Sequence, residues 1–121
     1  MADLLPENQS DLIASDRVEG TLVFNPAGEK LGRISNFMVD KRSGQVRYAV
    51  LSFGGFLGLG HDHYPLPWSM LHYDVAMGGY VVELDRGALD DAPGHASDQR
   101  PRFDEDYGRA VHGYYGLIYP W

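Results

Sequence analysis

The stretch Gln45–Trp68, QVRYAVLSFGGFLGLGHDHYPLPW, decides the fold. Its first nine residues carry a strand signal: Tyr48, Val50, Leu51 and Phe53 are β-branched, aromatic or large apolar types, and no breaker interrupts them. Under period-two alternation Val46, Tyr48 and Val50 share one face, and Ala49, Leu51 and Phe53 the other. Both faces are apolar, so the strand is expected to be central and covered on both sides. Gly54, Gly55, Gly58 and Gly60 then interrupt the run around Phe56, Leu57 and Leu59. A second strand follows, with Tyr64, Leu66 and Trp68 on one face and Pro65 and Pro67 on the other parity. Prolines two apart remove donors from one side only, which suits an edge strand or a barrel seam.

Working outward, Thr21–Phe24 reads as a short strand and Asn25-Pro26-Ala27-Gly28 as a turn with proline second and glycine fourth. The next strand spans about Lys30 to Val39. Leu31 and Ile34 differ in parity, which predicts a bulge or sharp coil at Gly32-Arg33. Lys41-Arg42-Ser43-Gly44 reads as a hairpin turn with a left-handed glycine. After Trp68, Ser69-Met70-Leu71 suggests one helical turn and His72–Val75 a short strand. Gly78-Gly79 makes a turn, and Tyr80, Val82 and Leu84 alternate as a half-buried strand. Asp85 suits the cap of a helical turn that stops before Pro93. From Asp104 the pattern turns helical, with Asp104 as cap and Tyr107, Ala110, Val111 and Tyr114 on one face. The chain ends in the aromatic segment Tyr114–Trp121.

The run Gly44–Phe56, the glycine-rich loop and Pro65-Leu66-Pro67-Trp68 closely resemble the PRC-barrel family. The resemblance continues through Asn25–Gly28, Leu31-Gly32, Ile34, Asp40 and Gly44, and reaches Leu84-Asp85 and Ala92-Pro93. That family is named for the photosynthetic reaction centre, whose H subunit carries such a domain. A similar domain forms half of a bacterial ribosome-maturation factor, and many members are small stand-alone proteins. The resemblance implies an all-β fold: a small, mostly antiparallel six-stranded barrel over about Arg17–Leu84, followed by a short helical and aromatic tail. Val50, Leu66, Trp68 and Val82 are expected inside it. The domain reading is a lead over residues 1–14, with Leu12 and Ile13 docking at its end, a barrel over 15–92, and a linker and tail over 93–121.

Composition narrows the function. The 121 residues suffice for one domain. There is no cysteine, which excludes disulfides and thiol chemistry. The net charge of −7 sits in the flanks: five acidic and one basic residue over 1–20, four and five over 21–80, eight and four over 81–121. Such a chain repels phosphate backbones, so direct nucleic-acid binding is not expected. No apolar run reaches the ~20 residues of a membrane span, and the N-terminus lacks the basic and apolar regions of a secretory signal. The expected compartment is the cytoplasm.

His61-Asp62-His63 alone looks like metal chemistry, because histidines two apart on a strand share a face. Two ligands are not a site, so no metal and no cofactor are expected. The glycines of 54–60 lack a P-loop's Lys-Ser/Thr, and Ser52 and Ser69 lack a His–Asp arrangement. Arg33, Lys41, Arg42 and Arg47 read as a solvated face of one hairpin. The expectation is a non-catalytic adaptor that binds a protein partner, with peripheral membrane association left open. Its contact residues are expected in the loop (Phe56, Leu57, Leu59) and in the tail (Tyr107, Tyr114, Tyr115, Leu117, Ile118, Tyr119, Trp121). A tail this rich in rings favours a homodimer, in which it reaches across to a neighbour. The alternatives are a metal protein or enzyme using His61 and His63, and an accessory factor of RNA metabolism or photosynthetic membranes.

Overall fold

A computed structural model describes residues 12–53 and 62–121. A one-turn helix, α1 (Ser15–Val18), leads into six strands: β1 (Leu22–Phe24), β2 (Lys30–Val39), β3 (Val46–Ser52), β4 (His63–Pro67), β5 (His72–Asp74) and β6 (Gly79–Val81). A 3₁₀ turn over Trp68–Met70 joins β4 to β5, a second spans Arg86–Leu89, and α2 covers Glu105–Tyr114.

The strands form one sheet in the order β4-β3-β2-β1-β6-β5. All neighbours are antiparallel except β1 and β6, which run parallel. This corrects the expectation of a closed barrel. The sheet is mixed, and β4 and β5 are its two edges, not hydrogen-bonded to one another. A physical reason lies in β4. Pro65 and Pro67 stand opposite Val50 and Tyr48, and prolines cannot donate, so their nitrogens must face away from β3. The outer side of β4 therefore has no donors at these positions with which to close a seam.

The turns form as their sequences dictate. Gly28 (φ 85°) and Gly44 (φ 76°) take the left-handed conformation. Asp40 Oδ1 accepts from the N–H groups of Arg42 and Ser43, which fixes the β2–β3 hairpin. The parity change in β2 is a bulge: Val23 pairs with Gly32 but Phe24 with Lys30, leaving Leu31 as the extra residue. Leu31 and Ile34 consequently both point inward and are buried. Gly32 has no substitute there, since a Cβ would lie 2.2 Å from the Ser52 carbonyl oxygen.

Leu31, Ile34, Ala49, Leu51, Leu66 and Val82 make the centre of the core, with Val18, Leu71 and Leu89 closing it from the connections. Leu66 and Val82 are inside, as expected, and Trp68 packs half-buried against the cluster, its ring 5.4 Å from that of Tyr80. Val50 is buried but not in this core. It shares the parity of Tyr48 and lies on the opposite face of the sheet. Leu12 is exposed rather than docked, while Ile13 packs on the core.

Candidate functional site

The face of β3 and β4 that turns away from the core carries Tyr48, Val50, Pro65 and Pro67, all buried. What buries it is the chain's own C-terminal segment, with α2 packed against β4. The helix begins where Asp104 Oδ1 accepts from the Tyr107 N–H (2.9 Å), and Glu105 pairs with Arg109 one turn on (2.7 Å). Its inward residues are Gly108, Val111 and His112, with Tyr107 and Tyr115 half-buried beside them. The apolar face is thus turned by one position from the expected one, and Ala110 and Tyr114 are exposed.

Gly108 explains the rotation. A Cβ there would lie 2.4 Å from the Tyr119 ring and 2.8 Å from the Tyr48 hydroxyl. Glycine lets the helix lie directly on Tyr48, which a face built on Ala110 would not. The helix then ends in a double closure: Gly116 is left-handed (φ 73°), its N–H donates to Gly113, and the N–H of Leu117 donates to His112. This reverses the chain, so that Leu117–Trp121 folds back over the same face.

The result is an aromatic cluster around Tyr48. Its ring lies 5.3 Å from Phe103, 5.5 Å from His112 and 6.1 Å from Trp121. His112 is buried, its Nδ1 2.8 Å from the Gly108 carbonyl, with Tyr119 and Trp121 edge-on to it at 5.5 and 5.6 Å. The Arg47 guanidinium sits 4.4 Å over the Trp121 ring and pairs with Asp40 at 2.5 Å. Backbone N–H groups of Ser43 and Arg42, and then Arg47, hold the Asp40 carboxyl below its usual range. Burial pushes the Tyr48 hydroxyl up to about 12, and pushes those of Tyr107 and Tyr115 upward too.

Phe56, Leu57, Leu59 and His61 lie outside the described residues. In the tail, Tyr115 packs on the core, Tyr114 donates its hydroxyl to the Ala88 carbonyl, and Tyr107, Tyr119 and Trp121 join the cluster. Leu117 is half-buried and Ile118 is 91% exposed. In this single chain the tail therefore docks on its own sheet. Leu117, Ile118 and Pro120 line one side of an open groove of 350 Å³, and Val46, Pro67 and Trp68 line the other. His63 stands apart at the start of β4, its Nδ1 2.8 Å from Asp62 and its ring stacked on His95 at 5.6 Å. That contact with His63 holds the Asp62 carboxyl low. Among the described residues no group of three histidine or carboxylate side chains is placed to hold a metal. The basic hairpin is dispersed: Arg47 serves the tail, and Arg33 donates to the Gly20 carbonyl. Tyr48, Phe103, Gly108 and His112 are site residues that the sequence reading did not single out. Their signal was present in the outward apolar parity of β3 and in the Gly108/His112 spacing on α2.

A family model for the PRC-barrel domain matches residues 10–89. The chain belongs to the PRC-barrel family. A solved structure similar to it is a 16S ribosomal RNA processing protein, RimM, from Pseudomonas aeruginosa. The identity is 20% and the TM-score 0.44, over 69% of this chain and 50% of that one. This chain thus spans half of that protein's length. No curated protein matches. The tail that covers Tyr48 lies beyond the residues of the family match.

Two outcomes test this site. Alanine normally favours a helix over glycine by about 1 kcal/mol, yet Gly108→Ala is expected to destabilise the chain, because the new methyl displaces Tyr119 from Tyr48. A lowered urea midpoint checks this, and a raised one contradicts it. The pH dependence follows from Tyr48. Its hydroxyl ionises near 10 when unfolded and near 12 when folded, so between those values the unfolded state loses the proton first and stability falls as pH rises. Denaturant melts from pH 9 to 12 are expected to show that fall, with a shallower slope in Tyr48→Phe.

Proposed function

We propose that this chain is a non-catalytic protein-interaction module of the PRC-barrel type, working in the cytoplasm without a cofactor. The observation that carries the reading is the groove between the returning tail and β4. Its walls are mostly aliphatic and aromatic, with Arg47, Ser69 and His112 also lining it, and Ile118 stands almost fully in water. An isoleucine so placed offers an anchor, and a neighbouring cleft offers a seat, for an apolar side chain of a protein partner. The lining supplies contact surface rather than bond-making chemistry.

The acidic net charge speaks against a nucleic-acid partner. The likeness to the RNA-processing protein concerns fold, and fold does not carry function. Within the single chain the tail's rings already have contacts, and this reading puts the dimer contact on another element.

A photo-reactive amino acid at Ile118 tests the reading in cells, with the same group at Ala110 on the exposed side of α2 as control. A discrete crosslinked protein product at position 118 and none at 110 is expected. Indistinguishable patterns at the two positions would contradict it.

A further inference from the structure

The two edges of the sheet are treated differently. At β4 the N–H and carbonyl of His63 are taken by His95, at 3.0 and 2.8 Å. Two residues on, Pro65 and Pro67 have no N–H to offer. That edge is blunted against further pairing. At β5 there is neither proline nor lysine, and among the described residues no strand lies beyond it. The Asp74 carbonyl closes the hairpin onto the Gly78 N–H (2.9 Å). By the alternation of an antiparallel ladder, Tyr73 therefore turns its own N–H and carbonyl to the open side. Exposed apolar side chains gather here: Tyr73 is 44% exposed, Val75 54% and Met77 36%.

The sequence of this edge is complementary to itself. Paired antiparallel with a second copy about Tyr73, it sets Tyr73 opposite Tyr73 of the partner subunit. His72 then faces the partner's Asp74, and Asp74 faces the partner's His72. Both His–Asp pairs lie on the sheet face away from the tyrosines. Asp74 commits Oδ1 to the Met77 N–H (3.0 Å), which leaves its second oxygen for the imidazole. Tyr73 is already braced edge-on against Tyr80 at 5.2 Å, so little side-chain freedom is lost on pairing.

We propose that β5 is a homodimer contact, through which two copies join their six-stranded sheets edge to edge about a two-fold axis at Tyr73. The occupant is a second copy of this chain, because the apolar centre and the flanking His–Asp pairs match under that symmetry. The contact is on a different element from the Ile118 groove, so either proposal can fail alone.

Light scattering on the purified full chain at tens of micromolar is expected to give a dimer. His72→Asp sets two carboxylates opposite each other twice over and is expected to weaken the dimer about tenfold or more, since each altered pair counts twice across the axis. Adding Asp74→Asn, which keeps an oxygen for the Met77 N–H, is expected to recover part of the loss. The chain has no cysteine, so Tyr73→Cys reports the register directly. Cα atoms of directly opposed residues lie about 5.5 Å apart in a hydrogen-bonded pair, within disulfide range. Mild oxidation is expected to link Tyr73→Cys chains as dimers and to leave Ala110→Cys chains unlinked. A monomeric full chain would overturn the proposal. So would a dimer that His72→Asp leaves intact, or one that Ile118→Asp dissociates instead.

Discussion

A strand that is apolar on both faces has to be covered twice. The inner face of β3, through Ala49 and Leu51, meets the sheet's own core. The outer face, through Tyr48 and Val50, needs a second layer, and among the described residues the connections between the strands do not supply it. The segment Phe103–Trp121 does. Burying a large apolar side chain contributes ~1.5–3 kcal/mol, and Tyr48, Val50, Val111 and the prolines of β4 are all withdrawn from water by this one docking event.

The helix cap, the glycine at 108 and the reversal at Gly116 follow from that demand. Asp104 starts the helix, Gly108 lowers it onto Tyr48, and Gly116 sends the chain back so that Tyr119 and Trp121 seal the edge. Pro65 and Pro67 serve two purposes. They remove donors from the outer side of β4, and their rings form part of the floor on which α2 lies. Among the described residues one edge is blunt and one face covered, while β5 and the rim at Ile118 stay exposed.

Much of this was legible in the sequence because it rests on local rules. The two-sided apolar pattern of residues 46–53, a bulge close to Gly32 (expected at Gly32-Arg33, found at Leu31), the turn at Asn25–Gly28, the left-handed Gly44 and the capped helix at Asp104 all act within a few residues. The open sheet was not legible, since closure depends on how the edges β4 and β5, neighbours in the chain, meet in space, and β1 and β6 pair in parallel over a long separation. The site was half legible. The tail's rings announced a contact surface, but the side that receives them depends on Gly108, which reads locally only as a weak helix residue. In the sequence His112 is one of five histidines, and only the fold places it against Tyr119 and Trp121.

The whole arrangement depends on the tail covering the Tyr48 face of its own chain. Isotope-filtered NOE spectroscopy on an equal mixture of labelled and unlabelled chains, unfolded together and refolded, separates contacts within a chain from contacts between chains. NOEs from the Tyr48 ring to Phe103, His112 and Trp121 are expected within labelled chains, and none across the label boundary. The same NOEs appearing between labelled and unlabelled chains would contradict it, and would hand the Tyr48 face to a neighbour's tail.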